Sequence, residues 1–153
     1  MVINRQKRVR VKVRELNAFC RRASRALGLP ENSATICLVS DAQIASWNKN
    51  YRGKAKATDV LSFPALSNGQ RRRRAPGRTL KFSATVRDPY LGDIAIAPAV
   101  ARRNAREFQR SLDCEMRILT LHGLLHLMGY NHETDNGTME RVERRLRRKL
   151  GLR

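Results

Sequence analysis

The chain has 153 residues, enough to bury one hydrophobic core and short for two domains of ordinary size. Its 32 Lys and Arg against 13 Asp and Glu leave a formal net charge of +19, a surface that attracts polyanions, nucleic acid above all. No run approaches the ~20 apolar residues of a membrane span, which argues against a membrane partner.

Val9, Val11 and Val13 alternate with Arg10 and Lys12, a pattern that predicts a half-buried strand. The opening stretch lacks the apolar core of a signal peptide. Cys20, Cys37 and Cys114 are odd in number and in no C-x-x-C pair, so they read as reduced, mostly buried thiols of a cytoplasmic protein. From about Glu15 to Leu27, Leu16, Phe19, Cys20, Ala23 and Leu27 recur at helical spacing, with Arg21, Arg22 and Arg25 opposite, until Gly28 and Pro30. Thr35 to Val39 is β-branched and compact, a central strand. Ser40 with Gln43 predicts a capped short helix through Trp47, with Ile44 and Trp47 on the sheet.

Tyr51, Arg52, Gly53, Lys54 and Lys56 form a basic loop beside an aromatic residue. A solvated loop explains such a run; so does phosphate binding, since a guanidinium holds phosphate oxygens in a fork. Asp59 to Phe63 reads as a short strand stopped by Pro64. Residues 65–90 read as a basic variable insertion carrying Arg71, Arg72, Arg73, Arg74 and Arg78, with a short hairpin arm at Thr79 to Val86; it is either a solvated loop or an arm that grips RNA phosphates. Leu91 to Ala97 alternates like a strand, and Pro98 suits the first position of a helix through Arg110, with Val100, Ala101, Ala105 and Phe108 inward. Asp113 is placed to cap the next helix, an apolar one and hence central. Thr134 or Asp135 is placed to cap a last helix from about Gly137 to Leu150, buried along Met139, Val142, Leu146 and Leu150 and cationic elsewhere. Strands among helices, followed by a helical second half, predict one α+β domain over residues 1–153, with a small sheet of about four strands and helices packed around it.

The central helix carries the chemistry. The chain has 3 histidines, His122, His126 and His132, all in one stretch. Positions 122 and 126 lie one turn apart on one helix face, and Gly129 lets the chain leave the helix so that His132 returns from another direction. Three imidazoles with an open fourth position suit a catalytic zinc ion, one per chain; nickel or another divalent ion fits the same donors. Zinc peptidases on this frame carry glutamate after the first histidine as general base, and here that residue is Gly123. The cage is kept without the peptidase base, so a metallopeptidase is the remote alternative.

Three stretches together resemble the YbeY family of zinc-dependent endoribonucleases: N-Y-R-G-K-A-K-A-T-D-V-L-S-F-P (Asn50 to Pro64), L-G-D-I-A-I (Leu91 to Ile96) and H-G-L-L-H-L-M-G-Y-N-H (His122 to His132), followed by Met139. The resemblance implies a mixed sheet flanked by helices, with a metal site like that of the metzincin proteases. It implies His122, His126 and His132 as zinc ligands and Arg52 as the catalytic arginine on the RNA phosphate. It further implies maturation of small-subunit ribosomal RNA and ribosome quality control, with ribosomal RNA and the small subunit as partners. The family usually has aspartate where this chain has Asn131, next to the third histidine; an amide beside a ligand keeps its hydrogen-bonding capacity but loses the charge. A zinc-stabilised, non-catalytic ribosome-assembly factor is the second reading. Lys54, Lys56 and Arg71 to Arg74 are the candidate RNA-binding residues, and Asp59, Asp93 and Glu133 the candidate proton acceptors.

Overall fold

The computed structural model describes residues 1–53, 58–65 and 90–152. Among the described residues four strands and five helices follow in order: β1 (Val2–Asn4), α1 (Val13–Ala26), β2 (Ala34–Leu38), α2 (Asp41–Arg52), β3 (Val60–Pro64), β4 (Gly92–Ile96), α3 (Pro98–Glu107), α4 (Leu112–Leu127) and α5 (Thr138–Lys149). The sheet runs β1-β2-β4-β3, with β1, β2 and β4 parallel and β3 antiparallel on the β4 edge. The chain is therefore an α+β protein with a small mixed sheet, as its pattern of elements predicts.

Strand alternation divides the core. Ile36, Leu38, Ile94 and Ile96 pack with α1, α4 and α5 on one face, through Leu16, Phe19, Leu121, Leu125, Met139 and Leu146. Leu61 and Ala95 face the other way, towards Ile44 of α2 and Val100 of α3. Helix α4 is the hub: Leu121, Leu124 and Leu125 are inaccessible to solvent. No helix among the described residues is long and apolar enough to cross a membrane.

Several local expectations change. The first strand is Val2–Asn4, not the valine alternation at 9–13. Gln6 explains why: its amide donates to Val9 O (2.9 Å) and accepts from Val9 N–H (2.9 Å), so a side chain satisfies the backbone that a ladder would otherwise use. Val13 instead opens α1. Helix α2 runs past Trp47 to Arg52, because no breaker intervenes before Gly53, whose φ of 70° ends it. Arg52 is thus a helix-terminal residue and not a loop residue. Ser111 caps α4, its hydroxyl accepting from Cys114 N–H at 3.1 Å; Asp113 lies within the first turn and pairs with Lys12 at 3.0 Å. Helix α3 ends at Glu107 and not at Arg110, so Phe108 is 58% exposed, under the Arg110 guanidinium. The hairpin expected at Thr79 to Val86 lies outside the described residues, as do Lys54, Lys56 and Arg71 to Arg74.

Candidate metal centre

Helix α4 holds His122 and His126 one turn apart, and the turn after it brings back His132. The turn is a Schellman closure: Gly129 N–H donates to His126 O (2.9 Å) and Tyr130 N–H to Leu125 O (3.1 Å), with φ of 95° at Gly129. Asn131 then turns the chain again, its side-chain oxygen accepting from Glu133 N–H at 3.0 Å and its carbonyl from Asp135 N–H at 3.1 Å. The outcome is one cluster in which a ring nitrogen from each histidine lies within 4.8 Å of the others. Nε2 of His122 and Nε2 of His126 are 3.0 Å apart. Tetrahedral zinc with bonds of about 2.0–2.1 Å spaces its nitrogens by roughly 3.3 Å, so the donor set fits a single ion.

The electrostatics favour a neutral His126. His126 is pushed down to about 4, by burial first, then by the neighbouring His122 and His132. Arg52 contributes in the same direction, while a hydrogen bond to the Tyr130 backbone opposes it. The Arg52 charge is therefore felt at His126. Its helix end is anchored on β3 by aromatic edge contacts of Phe63 with Tyr51 (centroids 5.1 Å) and Trp47 (5.9 Å).

Gly123 is not merely a missing base. A Cβ there would lie 2.7 Å from Ile94 Cγ2 and 2.9 Å from Ile94 Cδ1, so position 123 faces β4 and has no room for a carboxylate. Its carbonyl accepts from Ser62 Oγ at 3.3 Å, tying α4 to β3.

The candidate proton acceptors have structural partners. Asp59 accepts from Asn104 Nδ2 at 3.0 Å, and Asp93 from the Tyr90 hydroxyl at 2.6 Å. Glu133 is exposed beside His132. Asn131 sends none of its side-chain hydrogen bonds to a histidine; it shapes the turn. The carboxylate that does hold a histidine is Glu143 of α5, its Oε2 3.0 Å from His122 Nδ1. Sequence reasoning missed it. Glu143 is 21 positions from His122, on a helix that reads as cationic, and its only local signal is an i, i+4 pair with Arg147.

The YbeY family profile, described as endoribonuclease YbeY, matches residues 1–151. This chain belongs to the YbeY family. A relative from Koribacter versatilis, named endoribonuclease YbeY, is 39% identical over 152 residues, covering 99% of this chain and 86% of its own length. Another of that name, from Nautilia profundicola, is 41% identical over 124 residues, covering 81% of this chain and 76% of its own. A solution structure of a Thermotoga maritima protein is similar at a TM-score of 0.47 and 24% identity, over 97% of this chain and 93% of that one.

Proposed function

We propose that this YbeY family member is a zinc-dependent endoribonuclease acting in the cytoplasm on ribosomal RNA, in small-subunit maturation and ribosome quality control. The observation that carries the reading is the convergence of His122, His126 and His132, with the Arg52 charge felt at His126. When bound, zinc supplies a Lewis acid and lowers the pKa of a water that it holds.

The remaining roles belong to the chain. His122 and His126 present Nε2 atoms on one helix face, and the depressed His126 leaves its lone pair available at neutral pH. Arg52 can engage two phosphate oxygens at once and stabilise the charge that develops as the phosphodiester breaks. Its exposed position at the end of α2 suits a substrate that arrives from solution. Position 123, sealed against Ile94, supplies no carboxylate, which weighs against peptide hydrolysis.

The test compares cleavage of a structured ribosomal RNA fragment by the wild-type chain and by His126→Ala and Arg52→Ala. His126→Ala is expected to abolish chelator-sensitive cleavage. Removing one such electrostatic contact, in Arg52→Ala, should slow it roughly 100- to 1,000-fold. Equal cleavage by all three would refute the reading.

Asn131 supports the second reading, an RNA-binding assembly factor whose zinc is structural, because its amide serves the turn and brings no charge to the histidines. That protein would bind RNA without metal-dependent turnover.

A further inference from the structure

Among the described residues the buried acidic groups are Glu115, Asp135 and Glu143. Glu115 meets Arg110 at 2.6 Å, and Asp135 accepts from Met139 N–H at 2.9 Å. Glu143 alone among them reaches the histidine cluster. Its two oxygens are divided: Oε1 takes the Arg147 guanidinium and Oε2 takes His122 Nδ1. An ordinary ion pair along α5 would need only the first contact. The second joins α5 to α4, from inside the protein.

A carboxylate accepts hydrogen bonds and does not donate them. His122 Nδ1 must then carry the proton, and a neutral imidazole protonated there keeps its lone pair on Nε2. That is the atom 3.0 Å from Nε2 of His126. His132 is exposed and has no such support among the described residues.

The geometry points to Glu143, steadied by Arg147, as the positioning residue of this centre: it fixes His122 as the Nδ1–H tautomer and turns Nε2 towards His126 and His132. The assignment rests on reading the three histidines as a metal site. Arg147 anchors the carboxylate that anchors the ring.

Two measurements test this. In the metal-free wild-type chain, nitrogen NMR of the 3 histidines, assigned by replacing each in turn, should show His122 protonated on Nδ1. A proton found on Nε2 would overturn the assignment, and this readout needs neither bound metal nor a variant at 143. Zinc affinity is then measured by competition with a chromophoric chelator. Glu143→Leu should weaken it about 10- to 100-fold, the usual effect of losing such a support. Glu143→Gln should weaken it less, since its amide oxygen still accepts from Nδ1–H. Glu140→Gln, an exposed change on the same helix, should leave it as in the wild type. Wild-type affinity in a folded Glu143→Leu chain would also overturn the proposal. A wild-type chain that binds no zinc would refute the metal centre itself, a result distinct from the tautomer measurement.

Discussion

Position 123 shows how one residue restricts chemistry through packing. Ile94 is fully buried on β4, and its β-branched side chain has little rotamer freedom to give way. Gly123→Ala is therefore expected to destabilise the fold by about 1–3 kcal/mol, the usual cost of overpacking. Denaturant titration checks this. Combining it with Ile94→Ala should cost less than the two single changes together, because the second removes the atoms that the first strikes. Strict additivity would mean that the close approach of α4 to β4 does not determine the residue. Glycine after the first histidine is legible in the sequence as a lost base; that it is also a steric requirement is not, because Ile94 lies 29 positions earlier and meets it only when α4 settles on the sheet.

At the scale of elements, the site depends on how α4 ends and how α5 begins. Asp135 is buried and accepts from Met139 N–H, one of the donors that a helix start leaves unpaired. It aligns α5, and α5 carries Glu143. Asp135→Ala should cost about 1–2 kcal/mol, as loss of a capping acceptor does. By loosening α5 it should also weaken zinc binding. Ser111→Ala, at the far end of α4, should cost about 1 kcal/mol and leave zinc affinity unchanged, since the Schellman turn that carries His132 is at the opposite end. Chelator competition and thermal unfolding separate the two; equal zinc affinities for all three chains would show that α5 does not govern the site. The sequence reads Thr134 or Asp135 as the cap; Gly137 holds the N-cap position instead, and Asp135 serves the helix start from two residues before that cap, through Met139 N–H. Asp113 is read wrongly for the same reason that caps are readable at all: the rule scores residue type, and both Ser111 and Asp113 satisfy it. Only the path of the chain before the helix selects Ser111.

For the whole molecule, the dominant fact is the charge of +19. Several of the cations are occupied: Arg25 with Glu31, Arg103 with Asp41, Arg117 with Glu15, Arg144 with Glu140. These are exposed or half-exposed pairs of the kind worth little to stability, so the surplus is free to act on a partner. Binding of a single-stranded RNA should weaken steeply with salt, the logarithm of the association constant falling by about 0.7 per phosphate contacted for each decade of salt. Arg52→Ala should make that slope shallower by roughly one contact. Fluorescence anisotropy across a salt series, with circular dichroism to show that the fold is unchanged, gives the slope directly. A slope near zero would remove the electrostatic basis for RNA as the partner.

Local chemistry and period are what the sequence by itself determined. The 3.6-residue recurrence of apolar side chains marks α1, α4 and α5, and the spacing of His122 and His126 with Gly129 before His132 yields the three-histidine cluster, because both depend on neighbours along the chain. The tertiary structure alone decided what crosses between elements. It set β1 at Val2–Asn4, where pairing with β2 is available, and left Val9 to a loop closed by Gln6. It put Arg52 at the end of a longer α2, where its charge is felt at His126, and laid Glu143 on His122 across two helices. Those contacts join residues far apart in the chain, and their geometry follows from how helices seat on the sheet, which no pattern of adjacent residues contains.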